Sequence, residues 1–188
     1  MNFNADIKNL ENMDEGELKV ELKKLFDEVY GASPEEGILI ASPLSLTLMG
    51  EELDYNGGNV LNLCCDKSIY FFIKKNNSDK ISLTDLVLNK KFEGLISGQA
   101  GKNQNPDSRK EGFASSIFNI ILLTAQKINK HFENPLSGFD IMVFDKLRFK
   151  TGQTSLPAFE AGFCTGLLSI FKLKGSFKTI ASLCLEAE

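Results

Sequence analysis

The stretch Leu44-Ser45-Leu46-Thr47-Leu48-Met49-Gly50-Glu51-Glu52-Leu53-Asp54-Tyr55-Asn56-Gly57-Gly58 decides the fold. Its second half, Asp54 to Gly58, holds the strongest local turn chemistry in the chain, because Asn and Gly tolerate the positive φ values that tight turns require. By itself it reads as a hairpin turn. Strands are expected on both sides, at about 44 to 49 before it and at 59 to 64 and 68 to 74 after it, with another at 80 to 88. Upstream, Gly37-Ile38-Leu39-Ile40-Ala41-Ser42-Pro43 is a short apolar run with a strand's length and a proline end. Before that, Leu18, Leu22, Leu25, Phe26 and Val29 recur at helical spacing and Gly31 follows as a stop, which predicts an amphipathic helix over 15 to 30.

Farther along, Ser97 to Glu111 is rich in Gly, Asn, Gln, Ser and charge and reads as an exposed loop. Phe113, Ile117, Phe118, Ile121, Leu122, Ala125 and Ile128 form a broad apolar helical face that Phe132 continues, so this helix is expected to be deeply packed. Asp140 to Phe144 reads as a strand, a loop reaches to about 155, and helices follow at about 157 to 172 and 176 to 187. No internal repeat is present. Strands early and helices late predict an α+β domain in which helices cover one face of a mixed sheet.

The chain has 188 residues, 43% hydrophobic and 24% charged, enough for one sizeable core. A formal net charge of −4 gives no electrostatic footprint for nucleic acid or an anionic membrane, so neither is expected as a partner. No apolar run approaches the roughly 20 residues that span a bilayer, and the N-terminus lacks the pattern of a signal peptide, which makes a cytoplasmic location the expectation. The four cysteines, Cys64, Cys65, Cys164 and Cys184, show no metal-binding spacing and are expected to be reduced packing residues, the adjacent pair pointing to opposite faces of a strand. The lone histidine, His131, reads as a surface residue at a helix end.

The segment quoted first resembles the N-terminal signature of galactokinases, G-R-V-N-L-I-G-E-H-x-D-Y-N-G-G, members of the GHMP small-molecule kinase superfamily. The likeness extends upstream, where Phe26-Asp27-Glu28-Val29-Tyr30-Gly31 and the strand reaching Pro43 are similar to that family's opening. It extends downstream to Ser137-Gly138-Phe139-Asp140 and to the closing Ala187-Glu188. The resemblance implies the GHMP-kinase N-terminal fold, of the ribosomal protein S5 domain 2-like kind, over residues 1–188, with the C-terminal GHMP domain absent from this chain. It also implies a galactose-like sugar as ligand, bound by Glu51, Glu52, Asp54 and Tyr55. The physical sense is that an ionised carboxylate offers several acceptor sites to neighbouring hydroxyls. A purely structural role for Asp54, supporting the Asn-Gly turn, stays open.

Departures from the pattern are as informative. The signature's arginine, which assists catalysis, corresponds to Ser45, and its histidine to Glu52, which when ionised cannot donate a hydrogen bond. The family's glycine-rich phosphate loop, P-x-G-x-G-L-S-S-S-A, corresponds to Arg148 to Ala158. There Lys150 replaces a glycine, Leu156 replaces a hydroxyl residue and Pro157 removes one amide. By resemblance, Gly152, Thr154 and Ser155 would contact nucleotide, Glu188 would bind Mg²⁺, and the catalytic aspartate would lie beyond Glu188. Lys146, Arg148 and Lys150 could attract an anion, although a basic cluster is more often a solvated loop.

ATP and Mg²⁺ are thus the cofactors if the chain is active, and none is needed if it is not. The favoured expectation is a catalytically impaired, pseudokinase-like homologue that binds a sugar or acts in regulation. Two alternatives stay open: the N-terminal portion of an active ATP-dependent galactokinase or related sugar 1-kinase, and an interaction domain retaining only the fold. An exposed apolar face is expected where the second domain would pack, covered by a protein partner or by self-association.

Overall fold

The computed structural model describes residues 7–32, 36–50, 53, 56–97, 112–133, 136–146 and 156–186, with side chains omitted for 112–116. Two helices open the chain, α1 (Ile7–Asn12) and α2 (Glu15–Tyr30). α2 begins at a capping box, in which the Asp14 carboxylate accepts from the Glu17 amide at 2.8 Å while the Glu17 carboxylate accepts from the Asp14 amide at 3.3 Å. It ends at Gly31, whose φ of 85° favours glycine. Strands β1 (Ile38–Met49), β2 (Leu61–Lys75), β3 (Lys80–Asp85) and β4 (Lys90–Leu95) follow. Then come α3 (Gly112–Phe132), β5 (Phe139–Asp145), α4 (Leu156–Ile170) and α5 (Phe177–Leu185).

The five strands form one sheet in the order β1-β2-β5-β3-β4. Every neighbouring pair is antiparallel except β3 with β5. The parallel pair is reached by the crossover through β4 and α3, as parallel strands require. The α+β mixed sheet expected from the sequence is therefore present.

Helices cover both faces, which corrects the expectation of cover on one. Ile69, Phe71 and Ile73 of β2 and Ile141 and Val143 of β5 enter a core with α3, α4 and α5. The intervening Tyr70, Phe72, Met142 and Phe144 enter a second core with Leu10 of α1 and Leu18, Leu22, Leu25 and Phe26 of α2. The reason is legible in the strands themselves: consecutive apolar residues in an extended chain point to opposite faces, so each face needs a lid. Aromatic pairs fix both layers, Phe26 against Phe72 at 5.0 Å between centroids and Phe71 edge-on to Phe159 at 5.1 Å.

Two further corrections concern strands. Pro43 does not end a strand; β1 runs through it, because β1 is at the edge of the sheet and a missing amide there costs no ladder bond. The expected strands at 59–64 and 68–74 are one, β2, with the register against β1 slipping between Pro43 and Ser45. Two elements escaped the sequence reading, the short α1 and the edge strand β4. His131 is exposed at the end of α3, as expected, with its ring 4.8 Å from that of Phe132.

α4 lies close on β1 and β2 because glycines allow it. A Cβ at Gly162 would meet the Ser42 Cβ at 2.5 Å and the Phe71 ring at 2.8 Å, and one at Gly166 would meet Ile73 at 2.6 Å. Gly162→Ala is therefore expected to lower stability by about 1–3 kcal/mol through overpacking, measurable as a reduced urea midpoint with unchanged m-value.

A polar row crosses the sheet on the α2 side. Lys74, Asp140, Ser82 and Glu93 are successive partners on β2, β5, β3 and β4. The Asn76 side-chain amide donates to Asp140 at 2.8 Å, and the Tyr30 hydroxyl lies 2.7 Å from that of Thr84. Burial pushes the Asp140 carboxyl above its ordinary value, only partly opposed by the Asn76 hydrogen bond. A carboxyl raised in the folded state stabilises below its unfolded pKa, and that contribution is lost as pH rises through the folded value. Asp140→Asn keeps an oxygen acceptor for Asn76 and removes the charge. It should raise the thermal midpoint relative to the parent at pH 7, with the difference shrinking towards pH 3; a midpoint difference independent of pH would refute the assignment.

Candidate functional site

β1 and β2 form an antiparallel hairpin whose connection, 50 to 60, carries the turn residues quoted at the outset. Gly50 leaves the strand with φ of 85°, and a Cβ there would strike the Asn59 backbone. The Leu53 amide donates to the Gly50 carbonyl at 2.9 Å, and the Leu53 carbonyl in turn accepts from Asn56 at 3.1 Å and Gly58 at 2.8 Å. The loop winds around that one carbonyl. Gly57 has φ of 74°, and a Cβ on Gly58 would lie 2.8 Å from Leu53 Cβ. All three glycines are thus needed by the turn itself.

Glu51, Glu52, Asp54 and Tyr55, the expected sugar-binding residues, lie outside the described residues, bracketed by Gly50, Leu53 and Asn56. So do Gly152, Thr154 and Ser155 of the phosphate-loop counterpart, together with Arg148, Lys150 and Glu188. What the described residues fix is where those segments start and return. Ser42, Ile69 and Asp145 stand level across β1, β2 and β5. β1 and β5 run in the same direction, each being antiparallel to β2, so the hairpin connection and the segment after β5 leave from the same end of the sheet.

The returning helix is tied to that same level. The Ser42 hydroxyl donates to the Ala158 carbonyl in the first turn of α4 at 2.7 Å, in a buried setting. The connection from β5 to α4 therefore begins and ends beside the row Ser42-Ile69-Asp145. Beyond the row, β1 and β2 continue as an arm on which Leu46, Leu48, Met49, Leu61 and Leu63 are all more than half exposed. Thr47 and Asn62 hold the arm together by a hydrogen bond of 2.9 Å. Ser45, at the position of the signature's arginine, is exposed on this arm and paired with Cys64.

Lys146 does not serve as a free cation. Its ammonium donates to the Met13 carbonyl at 3.3 Å and lies 5.4 Å from the Tyr70 ring centroid, and burial lowers its pKa. It joins the end of β5 to the turn between α1 and α2, on the face away from α4. Leu156 is half-buried at the start of α4, and the exposed Pro157 lacks an amide. Among the described residues no group of three or more His, Cys, Asp or Glu side chains could hold a metal ion.

Ser42 and Glu160 are among the buried polar residues that sequence reasoning missed. Ser42 gave no signal, being one hydroxyl in an apolar strand. Glu160 is a buried carboxyl on the most apolar helix, within Leu-Pro-Ala-Phe-Glu-Ala-Gly, where one charge among apolar neighbours could have been flagged.

Comparison with known proteins agrees with this geometry. The galactokinase galactose-binding signature matches residues 24–75. The galactokinase of Clostridium acetobutylicum is 27% identical over 149 residues, 78% of this chain and 36% of that protein. Those of Canis lupus familiaris and Fusobacterium nucleatum are 26% and 28% identical, over 92% and 89% of this chain and 42% and 41% of theirs. The chain thus spans about two fifths of the length of these relatives. In fold it is similar to Lactococcus lactis galactokinase, solved with galactose, at a TM-score of 0.74 over 90% of this chain and 42% of that one, at 19% identity. Methanococcus jannaschii mevalonate kinase follows at 0.62, over 83% and 47%, at 21% identity. The chain is thus similar to galactokinases along most of its length, carries their galactose-binding signature over residues 24–75, and shares its fold with galactokinase and mevalonate kinase.

Proposed function

We propose that this chain binds a galactose-like sugar through the hairpin loop at 50–58 and is impaired in phosphate transfer as it stands. Glu51, Glu52, Asp54 and Tyr55 are the proposed sugar contacts. The observation that carries this reading is an asymmetry. The turn glycines Gly50, Gly57 and Gly58 are kept where the galactose-binding signature matches, while Ser45, Leu156 and Pro157 replace charge, hydroxyl and amide where phosphate would be handled. Residues 1–188 would form one unit equivalent to the N-terminal domain of these kinases, located in the cytoplasm.

Glu52 in place of a histidine exchanges a donor for an acceptor, so the sugar it favours should differ from galactose at one hydroxyl. If the chain works with nucleotide at all, ATP and Mg²⁺ are the cofactors that its relatives imply, with Gly152, Thr154, Ser155 and Glu188 as the proposed contacts. The exposed leucines of the arm are proposed to be covered in the working assembly, by a protein partner or by self-association.

Titration calorimetry with galactose and, separately, with Mg-ATP tests this. Heat with sugar and none with nucleotide is expected; binding of both, with phosphate transfer, would instead mark part of an active sugar kinase, and binding of neither an interaction domain. Asp54→Ala should abolish sugar binding and shift the thermal midpoint by no more than about 2 °C, the usual range for a surface change. A large loss of stability would show Asp54 to be a turn residue.

A further inference from the structure

The turn between α4 and α5 is fixed by its own backbone. The Leu173 amide donates to the Leu168 carbonyl at 2.8 Å, the Lys172 amide donates to the Ser169 carbonyl at 3.1 Å, and Lys172 takes φ of 55°. Gly175 lets the chain pass close to Leu168, since a Cβ there would lie 2.7 Å from the leucine Cδ1. The Ser176 hydroxyl then caps α5 by accepting from the Thr179 amide at 3.2 Å. α5 begins with Phe177, which at 92% exposure is the most exposed large apolar residue among those described.

A single exposed phenylalanine is ordinary on a protein surface, but the charge around this one is not. Lys172, Lys174 and Lys178 flank it in sequence and are all exposed, and among the described residues none of the three is ion-paired. From Ala161 to Leu185 the chain carries no acidic residue. The two acids that bound this stretch are withdrawn from the tip: Glu160 is buried, and Glu186 lies 3.5 Å from the Lys127 ammonium. Lys75 adds a fourth cation, its ammonium 4.6 Å from the centroid of the Phe171 ring just after α4. That ring is also edge-on to Phe139 at 6.3 Å, and Lys75 and Phe139 are partners where β2 ends and β5 begins. The hairpin connection at 50–60 lies where β2 starts, so the basic tip and the proposed sugar loop are at opposite ends of the sheet.

We propose that this tip docks the chain on an anionic phospholipid surface, with Phe177 entering the boundary between headgroups and acyl chains and Lys172, Lys174 and Lys178 lying among the headgroups. The formal net charge of −4 opposes this only weakly, because exposed charges more than about 8 Å away are screened at physiological salt. The shape favours a deformable surface over a peptide or a nucleic acid. A side chain so exposed has no wall of protein beside it, so it offers an acidic peptide no groove, and one exposed ring is a single stacking platform for bases. A bilayer closes around a protruding apolar side chain, and each lysine near its surface adds attraction to anionic lipid. The inference does not depend on sugar binding, and docking by this tip leaves the loop at 50–58 free at the far end.

The test is co-flotation of the full chain with phosphatidylcholine vesicles, with and without phosphatidylserine, at about 0.05 M and about 0.5 M salt. Binding is expected only with phosphatidylserine and should weaken at the higher salt. Phe177→Ser should weaken it about tenfold. Combining Lys172→Asn, which tolerates the positive φ, with Lys174→Gln and Lys178→Gln should weaken it about 100-fold. Thermal midpoints should stay near the parent's, because all four side chains are exposed. Absence of flotation by the parent, or equal flotation with pure phosphatidylcholine, would overturn the proposal. So would undiminished binding by these variants, which would place the contact on the apolar arm instead. Tighter binding of poly-glutamate or single-stranded RNA than of the vesicles at equal salt would also overturn it, assigning the tip to another polyanion.

Discussion

The structure depends on five consecutive residues of β2, Ile69-Tyr70-Phe71-Phe72-Ile73, all of them buried. Their alternation sends three side chains to the α3–α4–α5 side and two to the α2 side, so one strand supplies both cores. At about 1.5–3 kcal/mol for each large apolar side chain buried, this segment is a large contributor to both layers, and Ile141 to Phe144 of the adjacent β5 repeats the pattern beside it. It also fixes the neighbours: β1 pairs with one edge of this segment and β5 with the other. The first part of β2, by contrast, is mostly exposed, and that is the part which carries the hairpin arm.

Much of this was legible in the sequence, and the failures have physical causes. α2 showed itself through its 3.6-residue apolar spacing and its glycine stop, both of which act within the helix. β4, Lys90-Lys91-Phe92-Glu93-Gly94-Leu95, gave no signal because it is an edge strand with few apolar residues, held mainly by its ladder to β3. α1 is six residues long and is held by Leu10 against the second core, a contact no local rule anticipates. Cover on one face alone is ruled out by the unbroken apolar run in β2, which points to both faces and so requires the apolar stripe of α2 as a second lid.

The site was legible differently. The turn residues declared their geometry, and Gly50, Gly57 and Gly58 each have a steric reason to be glycine. Which side chains gather around that turn depends on contacts between segments far apart in sequence. The tie from Ser42 to Ala158 joins positions 116 residues apart, and no period or motif could have announced it. It brings the end of β5, the start of α4 and the middle of β1 to one level, which makes a loop after β5 and a hairpin after β1 neighbours in the first place.

The residues that depart from the galactokinase pattern are not neutral losses in this fold. Leu44, at the leading glycine of the quoted signature, is buried in the core beneath α4, and Pro157 starts that helix where a missing amide costs no intrahelical bond. Lys146, the basic residue nearest the described end of β5, is committed to the Met13 carbonyl. Leu44 and Lys146 are thus committed to the fold, and Pro157 stands where the helix needs no amide. A core residue of Leu44's size, once buried, opposes return to glycine, because the cavity left would cost about 2–5 kcal/mol. The turn at 50–58 keeps its glycines, each of which has a steric or conformational reason to be glycine. Stability alone therefore favours keeping Gly50, Gly57 and Gly58 in the turn and Leu44 in the core.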